Sequence, residues 1–433
     1  MLYEVNQDAL RYEIERLGVY KPSVAILLGK GKITPLKLLN VRTPAANIIK
    51  QEMLAAGGDC ATPGTAITCA VTHVDILLLG NRKHYKTLLY KLKQMPYFGI
   101  PDIVKKLERY LKPAVRHTVL ADGRELKYDS LQVMGIINVT PDSFYAGSRR
   151  TGVDAALDRA EKMLVEGAAV LDIGGESTRP GSDPVTAEEE RDRVLPVVSA
   201  IKRRFPESVI SVDTYRAALA RDAMQCGGDI INDISAMTAD EAMIRVVAET
   251  QAPVILMHRK GVSKNMQQQC EYKNVVQEVT EYLLGRAACL EDLQIGADKI
   301  ILDPGIGFAK NDEQNLRLIQ NLNALTVHPY PVLMAASRKT TIGNVLGAAV
   351  PFYEDETGKK VATEFVAGDA TPPSVGTVGI NKITTVPLPP EERLEGTLAV
   401  TAAAVFAGAS LVRVHDVKEN VRVIRMLEAI RNV

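Results

Sequence analysis

Short apolar runs alternate with amphipathic segments over most of the chain. From residue 131 onward, eight runs have the composition of buried β-strands, at residues 133–139, 169–173, 209–212, 229–234, 253–257, 299–302, 331–334 and 411–414. The segments between and after them repeat apolar residues at helical spacing, at residues 153–166, 187–204, 216–225, 239–250, 272–293, 314–325 and 418–430. Such alternation predicts parallel strands joined by helical crossovers. Eight units favour an α/β fold of the TIM (β/α)8 barrel type, with an open doubly wound sheet as the alternative.

A different pattern precedes the barrel. Residues 1–128 predict a smaller N-terminal α/β domain of unknown function, with helices at residues 8–17, 43–56, 84–94 and 101–111 and strands at residues 23–28, 66–70 and 73–79. The barrel domain is expected at residues 129–433, and the Asp122-Gly123 turn marks a linker or hairpin before it. Residues 350–390 lack helical periodicity and are rich in proline, so they predict an insertion after the seventh strand, with a β-hairpin of residues 361–366 and 380–386.

Composition narrows the class of protein. The 433 residues are 46% hydrophobic, and 52 basic residues balance 52 acidic ones. This balance argues against nucleic acid or a membrane surface as a general partner. No apolar run approaches the roughly 18 residues that span a bilayer, and the first residues lack the pattern of a signal peptide. The five cysteines are scattered and form no CxxC pair. We therefore expect a cytoplasmic protein with reduced thiols.

Polar side chains follow the predicted strands at the positions where each strand ends. The second strand continues into VLDIGGESTRPG at residues 170–181, which contains Thr178, Arg179 and Pro180. The other strands end at or near Asn138, Asp213, Asn232, His258, Asp303, the run Ser337-Arg338-Lys339, and the pair Arg413 and His415. In a TIM barrel the loops after the strands form one face, and active sites lie on that face. The sequence therefore predicts a single site built from all eight strand ends.

The residue types indicate the chemistry of this site. Asp213, Asn232, Asp303 and Lys339 form a set of donors and acceptors that suits a flat, nitrogen-rich ring, because buried polar groups need partners. Cationic donors suited to phosphate oxygens are supplied by Arg179, Arg338, Arg413 and His415. Asn138 offers an amide oxygen of the kind that ligates Mg²⁺, which usually bridges to substrate phosphates.

Simpler explanations exist for several of these residues. A single Asp after a strand is more often a helix N-cap than a catalyst, and Asp142 and Asp416 fit that role. His258 is as easily a structural histidine as a functional one. The run from Asn81 to His84 fits a helix cap better than an anion site. Recurrence at all eight strand ends is what favours a binding site over helix caps. The chain has no GxSxG or P-loop motif.

Several runs resemble one enzyme family. They are MGIINVTPDSF at 134–144, LDIGGESTRPG at 171–181, SVDT at 211–214, INDISA at 231–236, DPGIGFAK at 303–310, SRK at 337–339, LEGTLA at 394–399 and VRVHD at 412–416. Together they span the predicted barrel and resemble dihydropteroate synthase. Members of that family are TIM barrels, which agrees with the strand pattern.

The resemblance implies a transfer reaction. The family joins 6-hydroxymethyl-7,8-dihydropterin diphosphate to p-aminobenzoate and releases 7,8-dihydropteroate and diphosphate, by way of a pterin-methyl cation. By position, the implied catalytic residues are Asp213, Asp303, Lys339 and Arg179. The implied substrate-binding residues are Thr178, Pro180, Asn232, Met257, Phe308, Ser337, Arg338, Arg413 and His415, and Asn138 is the implied Mg²⁺ ligand.

The implied roles divide the site into parts. The pterin ring would contact Asp213, Asn232, Asp303 and Lys339, with Met257 packed nearby. The diphosphate would contact Arg413 and His415, and p-aminobenzoate would lie beside Phe308, Ser337 and Lys339. Thr178, Arg179 and Pro180 would belong to a loop that helps to close the site. Members of the family tend to dimerise through late barrel helices, so a homodimer is expected.

Two departures from the family pattern keep alternatives open. Tyr145-Ala146 stands where the family usually has Ser-Asp, and His258-Arg259 stands where it usually has His-Met. One alternative is a pterin-binding methyltransferase that holds methyltetrahydrofolate, although the cationic residues at the seventh and eighth strands have no diphosphate to bind in that chemistry. The other is a pterin-binding protein without catalytic activity.

Overall fold

The computed structural model describes residues 9–112, 115–139, 149–176, 185–261, 269–354, 360–362 and 383–431, together with residues 2 and 5. Two compact units make up the chain. One contains residues 1–114, 327–329 and 428–433, and the other contains residues 115–326 and 330–427. None of the described helices is long and apolar enough to cross a membrane.

The N-terminal unit is a small α/β structure. Its helices are α1 (Leu10–Arg16), α2 (Lys21–Gly31), α3 (Thr43–Ala56), α4 (Gly64–Ile67), α5 (Arg82–Leu92) and α6 (Ile100–Leu111). Its strands are β1 (Thr34–Arg42), β2 (Asp59–Ala61) and β3 (His73–Gly80), which form an antiparallel sheet in the order β1-β3-β2. Alternate residues of β3 are buried, because one face of the sheet packs on the helices.

Two predictions for this unit were wrong. Residues 23–28 form part of α2 and not a strand, and Val24 is the one buried residue of that helix. Their run of Ala, Ile and Leu consists of residues that also favour helices, and Pro22 occupies a first-turn position where helices accept proline. Residues 66–70 were predicted as a strand but contribute to the short helix α4. The first strand of the sheet, β1, was missed.

The larger unit is the predicted barrel. Its strands are β6 (Gln132–Asn138), β7 (Val170–Gly174), β8 (Ile210–Asp213), β9 (Ile230–Asp233), β10 (Val254–Met257), β11 (Ile300–Asp303), β12 (Leu333–Met334) and β16 (Leu411–Val414). They pair in parallel in the order β11-β10-β9-β8-β7-β6-β16-β12. A parallel bridge between Leu302 and Val332 joins the first strand of this order to the last. The TIM-barrel prediction is therefore confirmed.

Helices surround the barrel strands. They are α7 (Arg149–Glu166), α8 (Ala187–Arg204), α9 (Ala217–Gln225), α10 (Ala242–Thr250), α11 (Val275–Glu291), α12 (Asp312–Gln320), α13 (Asn323–Thr326), α14 (Thr340–Val345), α15 (Leu394–Ala407) and α16 (Val417–Arg431). Residues facing outward from the strands pack against these helices in one large apolar core. The predicted strands read as continuous apolar runs because both faces of a parallel sheet are buried.

A hairpin packs at the N-terminal end of the barrel. It consists of β4 (His117–Val119) and β5 (Glu125–Lys127). Leu120, Leu126 and Tyr128 join the apolar cluster formed by the first residues of the barrel strands. Residues 115–128, which the sequence analysis groups with the N-terminal domain, thus pack with the barrel.

A small sheet lies between α14 and α15, within the predicted insertion. It contains β13 (Ala348–Glu354), β14 (Lys360–Ala362) and β15 (Ile383–Val386). The sequence predicts that residues 361–366 pair with residues 380–386. In the sheet, β13 instead lies between β14 and β15 and pairs with both.

Candidate active site

Side-chain alternation places a polar layer above an apolar one inside the barrel. The first inward-facing residues of the strands form the apolar layer near the N-terminal end; they include Met134, Val170, Ile230, Ile255, Ile301, Leu333 and Leu411. Side chains two residues apart in a strand point to the same face, so the next inward positions lie nearer the C-terminal end. Those positions include Asp172, Asn232, Met257, Asp303 and Arg413. The pattern explains why the polar residues recur at the same level of neighbouring strands.

Asp172 is the centre of this polar layer. Its side chain is fully buried and accepts hydrogen bonds from Ser211 Oγ at 2.6 Å and from Asn232 Nδ2 at 3.3 Å. The guanidinium of Arg413 donates from Nε to Asp172 at 2.5 Å and from Nη2 to Asp213 at 2.7 Å. The layer is therefore a connected network in which each buried charge has a partner.

Burial sets the electrostatics of the carboxylates. Loss of solvent raises the pKa of Asp213, and the neighbouring Arg413 opposes this shift. Burial also raises the pKa of Asp303, while the charge of Lys339 and a hydrogen bond from the Gly305 amide oppose it. A buried carboxyl group gains from any donor that a ligand brings, so these groups suit a ring with N–H and amino groups.

A second part of the site consists of apolar side chains and the cationic side chain of Lys339. Ile234, Met257, Phe308 and Ala309 form a small cluster above the polar layer. Lys339 Nζ lies 4.6 Å from the centre of the Phe308 ring, and it donates to the carbonyl of Ile306. Burial lowers the pKa of Lys339 to about 8, although Asp303 opposes this shift. The arrangement suits a flat ring packed on Phe308 with its polar edge toward Lys339.

The seventh and eighth strand ends carry a third group of residues. Ser337 Oγ lies 3.0 Å from His415 Nδ1. Burial, with the nearby charges of Arg413 and Arg338, lowers the pKa of His415 to about 3. The cationic role of His415 toward phosphate stays a prediction. Arg338 makes two bonds to Asp416, at 2.8 and 2.5 Å. Its role in phosphate binding stays a prediction.

A cavity of about 290 Å³ adjoins this group. Its lining mixes both signs of charge and consists of Arg159, Lys162, Glu166, Arg338, His415, Asp416 and Glu419. None of its lining residues belongs to the polar layer.

Residues that follow the fifth and sixth barrel strands determine the environment of His258. Its ring packs edge-to-face on Tyr282, with 5.0 Å between centres, and its Nδ1 lies 3.0 Å from Lys310 Nζ. Burial and the charge of Lys310 lower the pKa of His258 to about 2. His258 is thus a neutral, hydrogen-bonded structural histidine, which was one of the two interpretations of the sequence.

Sequence reasoning missed a cluster at the second and third strand ends. Tyr215 Oη lies 3.2 Å from Glu176, and Arg216 Nη1 lies 2.8 Å from the same carboxylate. Arg216 and Arg259 lie on the ring of Tyr215, at 4.8 and 5.4 Å from its centre. The signal available in the sequence was the Tyr-Arg pair that directly follows Asp213-Thr214.

Some predicted residues fall outside the part of the chain that the structure describes. Thr178, Arg179 and Pro180 are among them, as is the first loop with Tyr145 and Ala146. Asn138 is described: it is the last residue of β6 and is half-buried at the C-terminal end of the barrel. Among the described residues there is no cluster of three His, Cys, Asp or Glu side chains that would hold a metal ion by itself.

Comparison with known proteins agrees with this geometry. The model of the pterin binding enzyme family matches residues 134–415. A dihydropteroate synthase of Escherichia coli K12 is 38% identical over 311 residues, which are 72% of this chain and 95% of that protein. A crystal structure of the Xanthomonas albilineans dihydropteroate synthase with 4-aminobenzoic acid has 34% identity and a TM-score of 0.59, and it covers 73% of this chain and 99% of that one.

A longer relative matches almost the whole chain. It is the probable bifunctional folylpolyglutamate synthase/dihydropteroate synthase of Halobacterium salinarum, which is 33% identical over 424 residues. The match covers 98% of this chain but 46% of that protein, so the chain spans about half the length of this relative. The barrel, its polar layer and these matches agree: the chain belongs to the pterin-binding enzymes and, within them, to the dihydropteroate synthase family of transferases.

Proposed function

We propose that the barrel joins 6-hydroxymethyl-7,8-dihydropterin diphosphate to p-aminobenzoate and releases diphosphate. The observation that carries this proposal is the polar layer, in which Asp213, Asn232 and Asp303 occupy the C-terminal ends of their strands. These side chains, together with Lys339, offer buried donors and acceptors to one planar ligand. Membership of the dihydropteroate synthase family indicates which reaction such a layer serves.

The residues divide the chemistry between them. Asp213 and Asp303 accept hydrogen bonds from the pterin ring, and Asp303 stabilises positive charge as the bond to the diphosphate breaks. Asn232 is held in place for this task by Asp172. Since Arg413 uses Nε and Nη2 within the layer, its Nη1, which bonds no described residue, is the donor left for the diphosphate.

The arylamine lies on the apolar part of the site. Phe308 provides the packing surface, Lys339 lies over that ring, and Ser337 lies at the side toward His415. The Xanthomonas albilineans relative was crystallised with 4-aminobenzoic acid. Arg179, with Thr178 and Pro180, closes the site over both substrates in this proposal.

A magnesium ion fits the donor set at Asn138. One amide oxygen at the mouth is a sufficient protein contribution, because Mg²⁺ keeps several waters and takes its other ligands from substrate phosphates. When bound, the ion would offset the charge that develops on the leaving diphosphate. A homodimer and a cytoplasmic location complete the proposal, and light scattering of the purified protein tests the former.

Turnover of defined substrates tests the function. Purified protein is incubated with the pterin diphosphate, p-aminobenzoate and Mg²⁺, and diphosphate and dihydropteroate are measured. We expect both products in equal amounts, and loss of turnover in Lys339→Ala with the fold retained. Lys418→Ala, at the start of the outer helix α16, is the matched control. Absence of diphosphate release refutes the proposal, and tight pterin binding without turnover favours a non-catalytic binding protein. Methyl transfer from methyltetrahydrofolate would instead favour the methyltransferase alternative.

A further inference from the structure

The loop after the sixth barrel strand is held by side chains. We call residues 304–309, between Asp303 and Lys310, the glycine loop. We propose that Lys310 is a positioning residue for the transfer reaction, because its ammonium group fixes the glycine loop in the shape that the substrate site requires. The inference rests on the proposed function and assigns a role to a residue that does not line the site.

Lys310 is almost completely enclosed. Only 2% of the surface of Lys310 is exposed to solvent. The ammonium donates to the carbonyls of Phe308 at 2.9 Å, Gly305 at 3.0 Å and His258 at 3.3 Å, and His258 Nδ1 lies 3.0 Å away. An ammonium group has three N–H donors, one for each of these three carbonyls. Neither an apolar side chain nor a carboxylate could replace it in this cage.

The glycine loop needs such a donor because its backbone is irregular. Gly305, Gly307 and Ala309 have φ values of 67°, 82° and 52°, in the left-handed region. A Cβ atom on Gly305 would lie 2.0 Å from the carbonyl oxygen of His258, so the loop is pressed against the end of β10. In this conformation the loop carbonyls at 305, 306, 308 and 309 accept hydrogen bonds from side-chain donors. A buried carbonyl left without a donor is costly.

These donors connect the loop to the site. The carbonyl of Ile306 accepts from Lys339, and Phe308 presents its ring to the same ammonium group. The amide of Gly305 donates to Asp303 at 2.7 Å. Lys310 therefore holds the backbone of the glycine loop, and that backbone orients Asp303, Phe308 and Lys339 toward the site.

Charge around Lys310 is balanced from several elements. Burial lowers the pKa of Lys310 to about 7, and the charges of Lys339 and Lys260 add to this shift, whereas Asp303 of β11 opposes it. His258, which directly follows β10, lies against the Lys310 ammonium group, and the charge of Cys270 also favours the ammonium form. An acid of the site itself, Asp303, thus favours the ammonium form that holds the loop.

Substitution of Lys310 tests the proposal in the full-length protein. Lys310→Met keeps the length of the side chain and removes the donors, while Lys310→Gln keeps two uncharged donors. We expect kcat to fall about 100-fold in Lys310→Met, the loss typical of a displacement near 1 Å, with a smaller loss in Lys310→Gln. The KM for p-aminobenzoate should rise, because Phe308 and Lys339 move. Lys299→Met is the control, since that lysine bonds the carbonyl of Gln251 near the surface, before the start of β11, and its kinetics should match the wild type.

The outcomes separate positioning from mere stability. Circular dichroism and thermal unfolding of each variant show whether it is folded at the assay temperature. A folded Lys310→Met variant with wild-type kcat and KM overturns the proposal, and so does failure of both variants to fold, because the ammonium would then serve the barrel as a whole. Wild-type protein without diphosphate release refutes the proposed function instead. In that case titration with the pterin diphosphate still tests Lys310, with at least about tenfold weaker binding expected in Lys310→Gln.

Discussion

At the scale of single residues, the site depends on buried charges that satisfy one another. Asp172 alone links Arg413, Asn232 and Ser211. In Asp172→Asn, the guanidinium of Arg413 loses one of its two carboxylates and Asn232 loses its fixed acceptor. We expect the free energy of unfolding to fall by about 3 kcal/mol, as for removal of one partner from a buried ion pair. The KM for the pterin diphosphate should rise in the same variant, since both residues contact this substrate in our proposal.

Denaturant unfolding and steady-state kinetics measure these two effects. Asp222→Asn is the matched control, because Asp222 pairs with Arg191 on the helical surface. Unchanged stability together with unchanged KM in Asp172→Asn would show that Asp172 is not the centre of the network.

Lys339 gives activity and stability opposite dependences on pH. Its pKa in the folded protein is about 8, below the usual value of 10.5. Activity that needs the ammonium form should therefore decline as the pH rises through about 8. Between about 8 and 10.5 the unfolded chain binds more protons than the folded one, so the free energy of unfolding should increase over the same range. Lys310, whose pKa is also lowered, adds to this second trend.

A pH profile of kcat/KM measures the first effect, because it reports the free enzyme. In Lys339→Arg the cation persists to higher pH, and the alkaline decline should move upward. A decline that stays near pH 8 in this variant would assign it to another group.

Residue positions were more predictable than residue states. The strand-end pattern and the family resemblance placed Asp213, Asn232 and Asp303 in one site, because strand periodicity fixes which side chains share a face. The pairing of Arg338 with Asp416 and the contact of His415 with Ser337 were not predictable, since both depend on neighbours distant in sequence. The positioning role of Lys310 was missed for the same reason. The carbonyls of His258 and Gly305 come together around Lys310 only when β10 pairs with β11.

At the scale of elements, the hairpin of β4 and β5 belongs to the barrel through ion pairs as well as apolar packing. Arg124 Nη2 lies 2.6 Å from Asp229, whose other oxygen lies 2.9 Å from Lys202 and 2.8 Å from the amide of Ile210. In Asp229→Ala, two cations and one buried amide lose their acceptor. We expect a loss of about 2 kcal/mol in the free energy of unfolding, since the cations remain partly solvated.

Turnover of Asp229→Ala should stay at the wild-type level, because Asp229 lies at the N-terminal end of the strands and the site lies at the other end. Glu249→Ala is the control, as Glu249 forms an exposed ion pair with Arg221, which typically contributes little. A large fall in kcat without loss of stability would place the hairpin in the reaction and not in the scaffold.

The elements themselves were predictable where packing and pattern agree. The eight barrel strands were found because burial on both faces makes them uniformly apolar. Residues 23–28 have the same apolar composition but lie in the largely exposed helix α2, and composition alone does not distinguish the two environments.

At the scale of the whole molecule, the similarity to the dihydropteroate synthase family comes from the barrel and not from the N-terminal unit. The Escherichia coli relative matches over 95% of its own length with 72% of this chain, whereas the Halobacterium salinarum relative extends the match to 98% of this chain. The N-terminal unit has its own apolar core, centred on residues such as Ile49, Leu78 and Leu88. The chain therefore contains a second unit, with an apolar core of its own, in addition to the barrel.

The position of the boundary between the two units can be tested by truncation. A fragment of residues 115–433 keeps the hairpin, and a fragment of residues 129–433 lacks it. The second fragment loses Leu120, Leu126 and Tyr128 from the apolar layer at the base of the barrel, and Asp229 loses Arg124. We expect the longer fragment to be soluble with a cooperative thermal transition, and the shorter one to melt at least about 10 °C lower, since burial of one such side chain contributes about 1.5–3 kcal/mol. Equal melting temperatures would show that the barrel domain begins at residue 129, as the sequence alone predicts. Insolubility of both fragments would show that the barrel requires the N-terminal unit to fold.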